Sequence, residues 1–347
     1  MAKVLLSRGG ASGEYEEFLI SNSYTGGGWR SVQDLSSCTD YQEIFDSVQV
    51  ANPDAKIRAI GNWSGQLWLL RLSMSVGDLV LMPRKGQGTI AVGRITGDYK
   101  YLPANEPGFR HVRPVEWINP EVPKTNFGAD IQRSIGAFMT MCEIRRTEIV
   151  SRVEAIASGK VDPLMDSPDE REPAVTTGGL DDPEAESNVA NDAQLSIQEL
   201  IRHRFPGHEL SNLVAAVLEA NGYQTEVSPP GPDGGVDVLA ARGDLGFEGP
   251  RIAVQVKNTI SAQGVPQINE LVGAKTAFGA DKALYVSWSG FTSQAASLAR
   301  NNWFEIRLWN ADDLVQQVTA VYDQLDAEIR AKLPLRQVWI SAVEDSE

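Results

Sequence analysis

The chain has 347 residues, 31 Lys and Arg against 46 Asp and Glu, and a formal net charge of −15, with 42% hydrophobic and 22% charged residues. That length fits two domains of ~100–200 residues each, and the balance is that of a globular protein. No apolar run approaches the ~18 residues that span a bilayer, and the start MAKVLLSRGG has too short a hydrophobic core and no small-residue cleavage site; a cytoplasmic location without a membrane partner is expected. Cys38 and Cys142 are not spaced as a metal knuckle, and His111, His203 and His208 form no ligand pattern, which argues against zinc.

An acidic chain is a poor general phosphate binder, because Lys and Arg must replace the counterions of a nucleic acid. The charge is unevenly spread, however. Residues 1–158 hold 17 basic and 17 acidic side chains, 159–195 hold 2 and 10, and 196–347 hold 12 and 19. The folded parts can therefore still present local basic faces.

In chain order, apolar spacing predicts a helix over residues 40–48. Alternating runs at 78–83 and 89–96, parted by a Lys/Gly turn, predict two strands, and 112–118 a third. Apolar residues at three- and four-residue spacing predict one helix over 131–156. Residues 1–158 thus read as a small β-barrel or curved sheet with flanking helices. Residues 159–195 are rich in Pro, Gly, Asp and Glu and poor in large apolar residues, the composition of a disordered, self-repelling linker.

After the linker, Leu210, Leu213, Val214, Val217 and Leu218 share one helical face that stops at Gly222. Strands are predicted at 236–240, 252–257, 283–287 and 304–309, and helices at 265–278, 291–300 and from 311. The order α-β-β-α-β-α-β-α indicates a mixed sheet flanked by helices over 196–335. Residues 333–340 are expected to dock as a strand or extended segment, within a tail at 336–347 whose acidic end is frayed.

Side chains alternate along a strand, so Ile252, Val254 and Val256 take one face while Gln255 and Lys257 share the other. If the strand at 236–240 is the neighbour, Asp237 can meet them. Phosphodiester hydrolysis uses such a group: oxygen ligands for a hard cation and an ammonium for developing charge. Asp237 would supply a carboxylate, Gln255 an amide oxygen, Lys257 the cation, and Glu209 near the start of the amphipathic helix a second carboxylate. On chemistry alone, the same residues are equally a polar sheet edge.

The run HELSNLVAAVLEANGYQTEV, GPDGGVDVLA, RIAVQVKNT and ALYVSWSGFTSQAASLA resembles the catalytic domain of Mrr-type (type IV) restriction endonucleases, a branch of the PD-(D/E)xK nucleases, over residues 196–320. The resemblance implies a restriction-endonuclease-like α/β (α+β) fold and Mg²⁺-dependent cleavage of double-stranded DNA, with Mn²⁺ able to substitute. It puts Asp237, Gln255 and Lys257 at the core positions, with Asp237, Gln255 and Glu209 toward the metal. Gln255 stands where the wider superfamily has a second acid, as is usual in the Mrr branch.

The stretch IGNWSGQLWLLRLSMSVGDLVLMPRKGQGTIAVGRITGDYKY, with HVRPVEWI, is more distantly similar to EVE and PUA-like barrels. These are implied to receive a flipped, modified base. Trp29, Asn62, Trp63, Gln66, Trp68 and Tyr99 are candidates for that pocket, with Tyr101 and Trp117 as further aromatics. Arg84, Lys85, Arg94, Arg110 and Arg113 are candidates for phosphate contacts. Large aromatics more often pack cores, and PRKGQG lacks the spacing of a phosphate loop. The expectation is a defence nuclease whose first domain reads modified DNA and whose second cuts it, as a homodimer at least on DNA. The rivals are a non-catalytic reader of modified nucleic acid and an effector nuclease whose first domain senses a nucleotide signal.

Overall fold

The computed structural model describes residues 2–10, 12–103, 108–136, 139–165, 183–229 and 234–338. They form two compact units, the first covering 1–86, 90–122 and 126–169 and the second 87–89, 123–125 and 170–347. The core of the expected linker thus lies outside the described residues, as does the tail beyond residue 338.

The first unit runs β1 (Val4–Ser7), α1 (Glu16–Ser21), β2 (Tyr24–Gly27), α2 (Tyr41–Ala51), α3 (Ile57–Trp68), β3 (Leu79–Arg84), β4 (Thr89–Ile95), β5 (Lys100–Tyr101), β6 (His111–Pro123), α4 (Ala129–Gly136), β7 (Met141–Ile144) and α5 (Ile149–Ala157). One sheet has the order β2-β6-β4-β3-β1-β7, with β5 paired to β6. Alternation explains its two cores. Leu5, Val80, Ile95 and Val115 meet Ile44, Val48, Ile60 and Leu67 of α2 and α3, whereas Val4, Leu6, Leu79 and Leu81 meet Ile131, Ile135, Val153 and Ile156 of α4 and α5.

A sheet covered by helices on both faces has no need to close on itself. No backbone pairing among the described residues joins β2 to β7, but the sheet curls until Thr25 Oγ1 of β2 donates to Ser7 Oγ of β1 (2.8 Å); it is a half-barrel, and the expected closed PUA/EVE-like barrel is not confirmed. The predicted strands at 78–83, 89–96 and 112–118 and the helix at 40–48, whose N-cap Asp40 accepts from the Glu43 amide, correspond to β3, β4, β6 and α2. The single helix expected at 131–156 is corrected to α4, β7 and α5. Met141–Ile144 pairs antiparallel with β1, and its apolar ends happen to fit helical spacing.

The second unit runs α6 (Pro183–Arg204), α7 (Glu209–Ala220), β8 (Gln224–Val227), β9 (Val238–Arg242), β10 (Glu248–Lys257), α8 (Val265–Ala277), β11 (Lys282–Ser287), α9 (Ser293–Asn301), β12 (Ile306–Trp309), α10 (Ala311–Ala320) and α11 (Ala327–Lys332). The five strands are ordered β12-β11-β10-β9-β8. β10, β11 and β12 are parallel, β9 is antiparallel to β10, and β8 antiparallel to β9, the mixed sheet the sequence predicts. Val238, Val254, Val256, Leu284 and Val286 pack under α6, α7, α10 and α11. Ala253, Ala283 and Tyr285 face α8 and α9.

Two boundaries differ from expectation. Helix α6 takes in 183–195, the distal part of the expected linker: Leu195 is buried, and Ile201 and Phe205 further along bury in the second unit's core. At the other end, Asp162 is buried and bonded to Arg152, which brings the start of the linker into the first unit. Leu333 is buried and the Leu335 amide donates to the Tyr322 hydroxyl, but no strand forms from 333 to 338. No described helix is long and apolar enough to cross a membrane.

Arg152 is 2% exposed and holds both Asp130 (2.7 Å) and Asp162 (2.8 Å). Burial opposes ionisation of Asp162, yet its bonds to Arg152 and to the Leu164 and Gly128 amides hold the carboxyl below its usual range. Removing the guanidinium leaves a buried charge unpaired. Arg152→Met is expected to destabilise the first unit by about 3–5 kcal/mol in chemical denaturation of the full chain; a loss under about 1 kcal/mol would contradict this role.

Candidate active site

Asp237 sits one residue before β9 and is fixed from both sides. Its amide donates to Val254 O (2.8 Å), its carbonyl accepts from the Ser228 amide (2.9 Å), and its Oδ2 accepts from the Val256 amide (2.8 Å). The β9–β10 register pairs Ala240 with Ile252 and Val238 with Val254, but it breaks at Asp237, whose amide also bonds Val254 O; Val236 and Val238 accordingly fall in different cores instead of sharing the face expected of them. Lys257 follows Gln255 by two residues, at the carboxyl end of a parallel strand. Parallel pairing with β11 sets Tyr285 beside Gln255 and Ser287 beside Lys257.

Gln255 is 5% exposed, and its Oε1 has no hydrogen-bond partner. Leaving such an atom buried and unsatisfied costs about 1–3 kcal/mol, a cost that a bound cation or water would relieve. The Lys257 ammonium is half-buried and forms no ion pair among the described residues. Gly235 adopts φ +86°, which favours glycine, and a Cβ there would lie 4.0 Å from Gln255 Nε2.

Glu209 is committed elsewhere among the described residues. Its carboxylate bonds Asn212 Nδ2 (3.2 Å) and Lys332 Nζ (3.3 Å). The physical reason is the parity of the sheet. Helix α7 buries Leu210, Leu213, Val214 and Val217 against the Val254/Val256 face, while Gln255 and Lys257 lie on the face under α8 and α9.

Several polar residues close to the site went unread in the sequence. The Tyr285 hydroxyl donates to Gln263 Oε1 (3.1 Å), and Gln263 Nε2 donates to Thr259 Oγ1 (3.0 Å) and Ser261 O (2.9 Å). Ser289 hydrogen-bonds Thr259 (3.0 Å) and donates to Ser261 O (2.6 Å). This network ties the loop after Lys257 to the end of β11. Burial pushes the Tyr285 phenol up, and the carboxylates of Glu270 and then Asp237 push it further. Only the hydroxyl-rich spellings NTISAQG and SWSG hinted at it.

In the first unit, the structure divides the base-pocket candidates. Asn62, Trp63, Gln66 and Trp68 all lie on α3. Gln66 is buried, bonded to Asn62 and accepting from the Met141 amide (3.0 Å), so it ties α3 to β7. Tyr99 is also buried, its hydroxyl shared between His111 Nδ1 (2.8 Å) and the Leu35 amide (3.3 Å). Trp29 and Trp63 are half-buried against the same core as Tyr101 and Trp117, and Asn62 and Trp68 are exposed. Trp29 is the most constrained. It has φ +28°, its ring meets His111 edge-on at 6.4 Å, and a side chain on Gly27 would overlap it.

Two of the phosphate candidates, Arg84 and Arg113, are buried in structural roles. Arg84 is 4% exposed and ion-paired with Glu16 (3.1 Å) and Glu17. Arg113 is 3% exposed and donates to Leu70 O, Gly97 O and Arg71 O. Arg94 pairs with Glu154 (2.8 Å), and Arg110 donates to Arg30 O (3.0 Å). Lys85 stays exposed at the hairpin tip. Arginines bury when several carbonyls or carboxylates await their five donors.

Comparison with known proteins bears on both units. Residues 202–318 match the family model of the Mrr catalytic type, described as restriction endonuclease, and residues 3–140 match a domain of unknown function (DUF8426). Among curated proteins, the chain is 29% identical over 160 residues to the type IV methyl-directed restriction enzyme EcoKMrr of Escherichia coli (strain K12), covering 44% of this chain and 50% of that protein. It thus spans about half the length of the curated relative.

Three solved structures overlap it more loosely. The DNA modification-dependent restriction endonuclease AspBHI has 16% identity and a TM-score of 0.33, covering 85% of this chain and 73% of that one. The MspJI restriction endonuclease with a 27-mer oligonucleotide has 15% and 0.31, covering 96% and 79%. A protein of unknown function, AF1548, has 19% and 0.26, covering 36% and 78%. A restriction-endonuclease-type enzyme domain is therefore carried at 202–318, while nothing in these matches supports an EVE or PUA-like identity for the first unit.

The corrected roles have measurable consequences. Arg113→Ala strips donors from three backbone carbonyls and is expected to cost about 2 kcal/mol or more, whereas exposed Lys85→Ala stays within about 0.5 kcal/mol. Thermal melts of the two variants distinguish them, and equal melts would contradict the assignment. Burial lowers His111 from 6.5 to about 4, against the pull of its bonds to the Val32 and Trp29 backbone. The unfolded chain therefore takes up the proton first as pH falls. Stability from neutral His111 is intact above about 6.5 and is lost on acidification toward 4; His111→Phe is expected to flatten that part of the stability-versus-pH curve.

Proposed function

We propose that this chain is a divalent-metal-dependent DNA endonuclease of the restriction type, and that it acts on duplex DNA carrying modified bases. The observation that carries the reading is a single bond: Asp237 Oδ2 accepts from the amide of Val256 (2.8 Å), the residue between Lys257 and the buried Gln255, whose Oε1 has no partner. The restriction endonuclease match over 202–318 supports the reaction class, and the methyl-directed relative supports dependence on modification.

The residues fit a hard cation, which takes oxygen ligands. Asp237 and the orphan Gln255 oxygen would hold Mg²⁺, or Mn²⁺ in its place, and the ion would polarise the scissile phosphate and lower the pKa of water. The rest falls to side chains of the chain itself. The Val256 amide keeps the Asp237 carboxylate oriented through its 2.8 Å bond. Lys257 sets its ammonium against the negative charge that grows on the phosphate oxygens, in a half-buried position where charge is worth more than in water. Gln263, Thr259 and Ser289 brace the loop that follows it.

In this reading the first unit supplies recognition. Trp29, Trp63 and Trp68 offer aromatic surface not wholly spent on the core, and Asn62 an exposed amide. Cutting both strands calls for two catalytic units, so a homodimer on DNA belongs to the proposal.

The test is digestion of matched duplexes carrying no modification, N6-methyladenine, 5-methylcytosine, 5-hydroxymethylcytosine or phosphorothioate, with Mg²⁺. Cleavage of one modified duplex at least about tenfold above the plain one, abolished by chelation, is expected. Equal cleavage of all would overturn the dependence on modification. Modified-duplex binding without any cleavage would replace the nuclease by a reader.

A further inference from the structure

With Glu209 on the other face of the sheet, the Asp237–Gln255–Lys257 group holds one carboxylate. A dication is commonly held by one or two. No group of three His, Cys, Asp or Glu side chains occurs among the described residues, so any oxygen set here must combine fewer acids with an amide.

Helix α8 supplies another acid. It follows the loop after β10, so its first turns lie toward the Lys257 end of the strand, and it buries Ile268 and Leu271 on the face shared by Ala253 and Tyr285. A Cβ on Gly235 would lie 3.8 Å from Ala274 Cβ and 4.0 Å from Gln255 Nε2, which ties the Ala274 stripe of the helix to the Gln255 amide. Glu270 stands four residues before Ala274, hence on the same stripe and one turn nearer the Lys257 end. It is exposed and has no hydrogen bond or ion pair among the described residues. The Gln255 side chain is buried and its Oε1 has no hydrogen-bond partner.

We propose that Glu270 supplies the second carboxylate of this site, so that a divalent cation is held by Asp237, the Gln255 amide oxygen and Glu270. The helix acid is then recruited from α8 rather than α7. This inference rests on the nuclease reading. It makes the substitution of an amide at position 255 electrostatically tolerable, because the second negative charge arrives from a neighbouring element.

The test is Mn²⁺ uptake by the full chain, followed by the electron paramagnetic resonance signal of free Mn²⁺, with and without duplex DNA. Wild type is compared with Glu270→Gln, Asp237→Asn and Glu209→Gln. Thermal melts check that exposed Glu270 and Glu209 are replaced without unfolding. Weakening of Mn²⁺ binding by about tenfold or more is expected for Glu270→Gln and Asp237→Asn, with Glu209→Gln within about twofold of wild type. If Asp237→Asn weakens uptake and Glu270→Gln does not, the role of Glu270 is overturned and the nuclease reading stands. If wild type takes up no Mn²⁺ in either condition, or Asp237→Asn binds as wild type does, both are overturned.

Discussion

The pairing of β10 between β9 and β11 is the constraint from which the rest of the second unit follows. An internal strand is expected to be apolar on both faces, and Val254 and Val256 satisfy that on one side. On the other, Gln255 and Lys257 occupy places where Ala253 and Tyr285 show that the surroundings are a core. Polar groups persist there because the carboxyl end of the strand opens at the site, and because the Asp237 carboxylate is fixed to the β10 backbone itself. A shift of one residue would exchange the two faces and bury both polar side chains under α7.

This parity also sorts the helices by function. Those on the Val254/Val256 face, α6, α7, α10 and α11, build a large apolar core, and the Glu209–Lys332 pair closes its rim. On the other face lie α8 and α9, and Gln263, in the loop before α8, accepts from the Tyr285 hydroxyl. The first unit shows the same logic with different content, since one sheet carries two helix-covered cores and three of its arginines are spent inside. Arg84, Arg113 and Arg152 each hold several oxygens, which makes them parts of the fold.

Much of the second unit was legible because its strands announce themselves. RIAVQV and ALYVS are short apolar runs bounded by turns, and two-residue alternation alone groups Gln255 with Lys257. What stayed hidden was information carried by long-range packing. Glu209 sits on a convincing amphipathic helix, yet no local pattern says which face of the sheet that helix covers. Glu270 looks like any exposed helical acid until α8 is laid against Gly235 and Tyr285. Met141–Ile144 passes for helix because only its pairing with β1 makes it a strand. The arginines of the first unit looked available because their carboxylate and carbonyl partners come from distant parts of the chain.

The central claim is that the Asp237–Gln255–Lys257 face is a phosphodiesterase centre, and single-turnover cleavage of a susceptible duplex by Lys257→Ala tests it most directly when duplex binding is measured on the same preparation. A fall in cleavage of about 10²-fold or more with binding retained is expected, since the ammonium acts on charge that develops only in the transition state. Cleavage at the wild-type rate would contradict it.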